Sequence, residues 1–396
     1  MELIIISLGC FVTVLLLYPF MLSLISIVLA KRNISHASKR KANHFTCIVT
    51  AYKDASVAIP LIHSLLNQTW PNYDVVLVAD RCNKISLAKN DRLTVVYPGL
   101  PLDAKLKSIE RGLSCAKPAT DHVVVFDPDN VVKQDFLSNL SRYHDAGYSA
   151  VQCKRTAKNL DNHLACLDAV GEIYKNYVER KVPHLLNCSA TIAGSGISVD
   201  KELLQEFIND NHTREKMCGV IQGEDKMLQN YILSKNKKIA FNEEALVYDE
   251  KVTSNKQVQN QRARWISAYF ENLKPAFSLF CKGIIKLQPD KMLLSVNSMY
   301  PPLFLLMISA LAMLIINLLA TGFSPVFWSV AGGICIFATN FLLVLKLSRA
   351  KNKVLVSVIL IPYFIANQII SLLKIRQTRG RFLVTEKKQV QLLDYE

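Results

Sequence analysis

Residues 123–131 read VVVFDPDNV. A run of β-branched and aromatic residues stops at Asp127-Pro128-Asp129. A short, continuous apolar run closed by turn residues predicts a strand buried on both faces. The pattern recurs in FTCIVTAY (45–52), YDVVLVAD (73–80) and LTVVYPG (93–99). Helical patterns separate these runs. Residues 54–69 place Ile59, Ile62, Leu65 and Leu66 on one face, and AKLKSIERGLSCA (104–116) comes later. Apolar strands alternating with helices predict an α/β fold, with a parallel sheet covered on both sides. Ligands of such sheets sit at the carboxyl ends of the strands. That rule sets Tyr52, Asp54, Asp80, Asp127 and Asp129 along one rim.

Past residue 150 the alternation is less regular. Residues 160–182 predict a helix, and TIAGSGISV (191–199) a strand interrupted by small residues. GEDKMLQNYILSK (223–235) opens a helix with acids at the favoured end of its dipole. KIAFNEEALVYDE (238–250) alternates as a strand does, and QVQNQRARWISAYFENL (257–273) is helical.

The chain has 396 residues, of which 51% are hydrophobic, and a formal charge of +15. That length allows two or three domains. Residues 3–30 carry no charge, and a bilayer core of ~30 Å needs only ~20 residues. Glu2 before the run, with Lys31-Arg32 and Lys39-Arg40-Lys41 after it, favours an uncleaved anchor over a secretory signal peptide. Basic residues behind the span place the segment after it in the cytoplasm. Two more spans are expected at 301–321 and 325–345. A further apolar stretch, 354–373, is broken by Pro362. If it crossed fully, KIRQTRGRFLVTEKK, with six basic residues and one acid, would lie outside. The positive-inside rule opposes that, so an interfacial or re-entrant segment is predicted. Much of the basic excess flanks apolar spans, where it meets anionic lipid headgroups; nucleic acid is not an expected partner. Ten cysteines without a CxxC pair or Cys/His metal spacing read as reduced thiols.

Several residues could carry chemistry, and each has a plainer reading. Asp127 and Asp129 either close a strand in an ordinary turn or hold Mg²⁺ or Mn²⁺ through hard carboxylate oxygens. Asp80 either ends a strand or accepts a hydrogen bond from a base or ribose. Glu224 and Asp225 either cap a helix or supply a general base. Gln261, Arg264 and Trp265 share a helical face. They suit a phosphate and a flat acceptor, or a helix lying on a membrane. Gly194, Ser195 and Gly196 would let backbone approach a ligand closely, outside any dinucleotide fingerprint. Lys105, in a first helical turn, is either solvated or within reach of a phosphate.

The order of these signals is more specific than any one of them. TAYKDA (50–55), VAD (78–80), AKLKSIERGL (104–113), DPD (127–129), AGSG (193–196), GED (223–225) and QRARW (261–265) lie in sequence between membrane segments. The chain resembles the membrane-integrated family-2 glycosyltransferases, the group of cellulose, chitin and hyaluronan synthases and ceramide glucosyltransferase. The resemblance implies an α/β, GT-A nucleotide-sugar-binding domain with N- and C-terminal transmembrane helices. It implies that Thr50, Tyr52, Asp54 and Asp80 hold the nucleotide and that Lys105 lies near the diphosphate. Asp127 and Asp129 would take Mg²⁺ or Mn²⁺, with Asp129 the direct ligand. Asp225 would be the base of a single inverting displacement, and Gln261, Arg264 and Trp265 would close over the diphosphate beside the acceptor. The donor expected is a nucleotide sugar, a UDP-sugar first. The chain departs from the family at GED in place of TED, at ADRCN in place of DDGS, and at AYKDA in place of PxxNE.

The expected organisation is an anchor (1–30), a basic cytoplasmic linker (31–44) and a GT-A catalytic domain (45–280). An interfacial connector (281–300), two transmembrane helices (301–345), a basic loop with the third apolar segment (346–373) and a basic tail (374–396) complete it. So few full spans favour a lipid-linked or growing glycan acceptor at the cytoplasmic membrane face, or a channel made with partner membrane proteins. The alternative is a processive synthase of an extracellular polysaccharide.

Overall fold

The central strands are apolar on both sides and are accordingly covered on both. The computed structural model describes residues 2–29, 42–219 and 223–378. The basic segments at 31–41 and 379–396 lie outside the described residues. In chain order the elements begin with α1 (Glu2–Leu29), β1 (Phe45–Tyr52), α2 (Ile59–Leu66), β2 (Tyr73–Asp80), β3 (Leu93–Val96), α3 (Lys105–Leu113), β4 (His122–Phe126) and β5 (Val131–Val132). Next come α4 (Phe136–Asp145), β6 (Ala150–Ala157), α5 (His163–Lys175), α6 (Val182–Leu185), β7 (Ile197–Asp200), α7 (Lys201–Asn209), α8 (Asn211–Met217), α9 (Glu224–Ser234) and β8 (Ile239–Asp249). The chain ends through α10 (Asn255–Ile285), α11 (Pro289–Met299), α12 (Leu303–Thr321), α13 (Pro325–Leu347), α14 (Asn352–Ser357) and α15 (Ile361–Thr378).

The eight strands form one sheet in the order β3-β2-β1-β4-β7-β6-β8-β5. The expectation of a parallel sheet holds for β3, β2, β1 and β4. It fails at β7, which runs antiparallel to both β4 and β6, so the sheet is mixed. The strand expected over 191–199 is also shorter. Gly194 and Gly196 take left-handed φ of +83° and +63° and break it, and only Ile197–Asp200 pairs.

Side chains alternate between two apolar layers. Cys47, Val49, Val75 and Leu77 pack with α2 and α4 on one face. Ile48, Val76 and Val78 pack with α3, α7 and α9 on the other. α3 approaches the sheet at Gly112, where a Cβ would meet the Ile48 side chain at 2.6 Å.

Among the described residues, four helical runs are long and apolar enough to cross a membrane: Glu2–Leu29, Leu303–Thr321, Pro325–Leu347 and Asn352–Leu373. α1, α12 and α13 pack on one another through Val12, Leu16, Leu306, Ala310, Val330 and Phe337, and Tyr174 of α5 joins that cluster. The fourth run differs. It is interrupted at Val358–Leu360, just before Pro362, and α15 lies against α10, with Asn367 and Tyr363 bonded to Gln259 and Asn255.

At the amino end of β4, buried His144 stacks on His122 with ring centroids 3.7 Å apart. Its Nδ1 donates to the Tyr148 carbonyl at 2.8 Å, so its Nε2 accepts from the Ser198 hydroxyl. Burial, with His122 beside it, lowers the His144 pKa to about 3. The folded state therefore refuses a proton that the unfolded chain accepts below about pH 6.5, and stability falls as pH drops through that window. The thermal midpoint in detergent is expected to fall between pH 7.5 and pH 5, and to fall less in His144→Gln. Equal pH dependence of the two proteins would contradict this.

Candidate active site

The carboxyl ends of β1, β2 and β4, the Ala193–Gly196 loop, the first turns of α3 and α9 and the Arg264 region of α10 meet at one rim. Lys105 is the hub. It sits in the first turn of α3 and donates from Nζ to Asp127 Oδ1 at 2.5 Å and to the Gly194 carbonyl at 2.7 Å. Burial pulls the Lys105 pKa down, but Asp127, Glu224 and Asp225 outweigh it and leave it raised. Glu224 and Asp225 enter at the start of α9, behind Gly223 in the left-handed region (φ +82°). A Cβ on Gly194 would lie 3.9 Å from Asp225 Oδ2, an ordinary contact, so the two are neighbours and it is the left-handed φ of +83° that favours glycine here. Burial raises the Glu224 pKa; Lys105 opposes the rise, and Asp225 and Asp127 add to it. Arg264 of α10 reaches the same group. Burial lowers its pKa while Glu224 and Asp127 resist, and an arginine stays charged regardless.

On the β2 side, Asp80 is buried, and each of its oxygens accepts a backbone N–H, from Leu102 at 3.0 Å and Asp103 at 2.8 Å. It shapes the loop that leads into Lys105. Sequence reasoning does not single out Asp103. It accepts from the Tyr52 hydroxyl at 2.9 Å and from Arg81 at 2.6 Å, which ties the ends of β1 and β2 together. Its one visible signal is an acid two residues before the helix-opening lysine. Asp54 accepts from the Ser56 N–H and hydroxyl, a local turn, and the Thr50 hydroxyl donates to the Phe126 carbonyl.

The two carboxylates of the DPD turn have different surroundings. Asp127 is 32% exposed at its side chain and opens to the rim. Asp129 is 1% exposed, and its Oδ2 accepts the Glu250 N–H at 3.2 Å. Asp127 is therefore the open arm of the pair. The donors are hard oxygens, and Asp127, Glu224 and Asp225 gather around the single ammonium of Lys105, so the residues fit Mg²⁺ or Mn²⁺. By distance a second group, His122, His144 and Asp200, could also hold an ion, its ligand atoms lying within 4.8 Å of one another. It stands at the amino end of β4, the opposite edge from Asp127, and both His144 nitrogens already have partners.

Gln261, Arg264 and Trp265 divide. Arg264 faces the acids, and the Oε1 of Gln261 is buried without a partner. Trp265, 39% exposed, lies under the Arg262 guanidinium at 4.5 Å. Arg262 also bonds Asp168 of α5 and covers Phe364 of α15.

A buried charge network that the sequence did not reveal supports the rim. Arg155 donates to the Ala193 carbonyl at 2.5 Å and to Asp249 Oδ2 at 2.6 Å. Asp249 also accepts from Lys251 at 3.0 Å and from Asn130 of the DPD turn at 3.2 Å. Asn130 in turn accepts the Asp127 N–H. Arg155 thus holds the AGSG loop and the DPD turn to one carboxylate. A single π-helical turn, Asn176–Lys181, comes after α5. Arg180 in it bonds Glu172 at 2.7 Å and the Thr191 carbonyl at 3.2 Å.

This sheet order and rim site define a GT-A-like glycosyltransferase fold. The profile described as "Glycosyltransferase like family 2" matches residues 42–268, and the chain belongs to that family of enzymes. Over 95% of its length, and 99% of the other chain's, it is similar to the mannosyltransferase PcManGT from Pyrobaculum calidifontis, solved in complex with GDP-Man and Mn²⁺. The TM-score there is 0.57 and the identity 14%. Similarity to residues 1–349 of S. aureus TarS is weaker, with a TM-score of 0.40 and 12% identity over 85% of this chain and 92% of that one. No curated protein sequence is matched.

If Arg155 holds both loops, Arg155→Met strips the Ala193 carbonyl and the buried Asp249 carboxylate of their shared donor. Unfolding free energy is expected to drop by about 3 kcal/mol in denaturant titration. An unchanged midpoint would contradict the assignment.

Proposed function

We propose that this chain is an inverting glycosyltransferase that moves a sugar from a nucleoside diphosphate sugar to a lipid-linked or growing glycan acceptor at the cytoplasmic membrane face. The observation that carries the reading is the convergence of Lys105, Asp127, Glu224, Asp225 and Arg264 at one rim, with Gly194 packed against Asp225. A UDP-sugar is the first donor to test. GDP-mannose, bound by PcManGT, is the second.

Each residue then has one task. Thr50, Tyr52, Asp54 and Asp80, with the loop that Asp80 holds, frame the nucleotide. Asp127 and Asp129 would hold Mg²⁺ or Mn²⁺, with Asp127 the open arm. When bound, such a cation neutralises charge developing on the departing diphosphate. Lys105 and Arg264 supply fixed positive charge to that same group. Asp225 accepts the proton of the acceptor hydroxyl as it attacks the anomeric carbon from the face opposite the diphosphate. One displacement inverts the centre, with no covalent sugar–enzyme intermediate. Gln261 and Trp265 border the acceptor.

The packing of α15 on α10 supports an interfacial course for residues 354–373.

A hydrolysis screen of nucleotide sugars with Mg²⁺ and Mn²⁺ on the purified full chain is expected to find a donor. Asp225→Asn is then expected to lower transfer by about 10²–10⁴-fold with donor affinity nearly unchanged. Equal loss of transfer and donor binding would remove Asp225 from the base role.

A further inference from the structure

A group of polar side chains between Asp225 and the spanning helices has no task in the donor chemistry. The π-helical turn Asn176–Lys181 presents Glu179, whose Oε2 accepts from the Thr191 hydroxyl at 3.3 Å and whose carbonyl accepts the Thr191 N–H at 3.2 Å. The Glu179 charge acts on Lys226, the neighbour of Asp225 in α9. Tyr177 and Val178 of the same turn pack in one apolar cluster with Tyr18, Tyr174, Tyr300 and residues of the spanning helices. These groups therefore form a line from the catalytic carboxylate to the membrane helices.

The far end of this line is built around rings. Tyr18 and Tyr300 pair with centroids 5.5 Å apart. The Tyr18 hydroxyl donates to Asn297 Oδ1 at 2.6 Å, and the Tyr300 hydroxyl donates to the Leu15 carbonyl at 2.9 Å. Tyr174 packs its ring on Phe341 of α13 at 5.0 Å. Tyr174 is 3% exposed and Asn297 is 5% exposed, yet the Tyr174 hydroxyl and the Asn297 amide nitrogen have no hydrogen-bond partner among the described residues. Buried polar atoms are nearly always satisfied, and exceptions mark places where a further group completes the bonding.

The chemistry of the lining selects a class. Aromatic faces, hydroxyls, one amide and one carboxylate suit a neutral head group rich in hydroxyls. The cations nearby are already engaged: Lys226 donates to the Ile192 carbonyl at 2.7 Å, Arg180 to Glu172 at 2.7 Å and the Thr191 carbonyl at 3.2 Å, and Lys181 pairs with Glu243 at 2.8 Å. A phosphate placed here would face the Glu179 carboxylate, which is the repulsion that selects against it.

We propose that Glu179, Tyr18, Tyr174, Tyr300 and Asn297 form the acceptor subsite, and that it takes a neutral, hydroxyl-bearing lipid head group, such as a glycosyl or polyol lipid, entering from the bilayer. This rests on the glycosyltransferase reading above. The test uses the full chain in detergent, with the donor that the hydrolysis screen identifies. Three rates are compared: donor hydrolysis alone, transfer to dodecyl β-glucoside and transfer to dodecyl phosphate. The glucoside is expected to be glycosylated in preference to the phosphate. Glu179→Gln and Tyr174→Phe each remove one polar atom or charge, and each is expected to lower glucoside transfer about tenfold relative to donor hydrolysis, mainly through KM. Preference for dodecyl phosphate, or an unchanged ratio in both variants, would overturn the subsite while donor hydrolysis persists. Loss of all donor turnover in the unaltered protein would instead overturn the underlying reading.

Discussion

The Arg155 guanidinium, buried between β6 and β8, joins the two loops that make the rim. One arm reaches the Ala193 carbonyl and the other the Asp249 carboxylate, which also anchors Asn130 of the DPD turn. Taking these charges out of water carries a desolvation cost of several kcal/mol per ion, offset only where the geometry fills the remaining bonds. Here Asp249 accepts from three partners, and Asp168, Glu172, Arg180 and Lys251 continue the pairing beneath the site. Proximity of the Lys105–Asp127 pair to Gly194 and Asp225 depends on that foundation, because Asp127 and Gly194 lie on the two loops it ties.

The same network extends to the membrane side. Asp168 bonds Arg262, which covers Trp265 and Phe364. Glu172 bonds Arg180 in the π turn, and Tyr177 in that turn meets Ser26 of α1 at 2.6 Å. A turn that departs from α-helical geometry turns its side chains away from the regular helical faces, and such turns are frequent at functional sites. In this chain it connects the rim, α1 and the tyrosines that pack with the spanning helices.

Much of this was legible in the sequence for identifiable reasons. A parallel strand buried on both faces has no polar alternative, so FTCIVTAY, YDVVLVAD and HVVVF read directly as β1, β2 and β4. Their carboxyl ends place Tyr52, Asp80 and Asp127 on one rim. The direction of β7 was not legible, because strand polarity is set by chain return and not by local pattern. Nor was the short extent of β7. Ile192 and Ala193 give their N–H groups to the side chains of Gln229 and Gln152, and not to a neighbouring strand. The charge network was hidden for a related reason. Arg155, Glu172 and Lys251 stand singly among polar neighbours in sequence, and a lone charge in a strand or helix reads as a solvated face until the fold buries it.

Asp225, beside Gly194 and facing the Lys105–Asp127 pair, is the proposed base, and direct attack by an acceptor that it activates would have a stereochemical signature. The most direct measurement is the anomeric configuration of the first product formed from an α-linked nucleotide sugar, read by NMR before mutarotation or further transfer. A β-linked product is the predicted result. An α-linked product would require a second displacement or front-side attack, and would contradict the role given to Asp225.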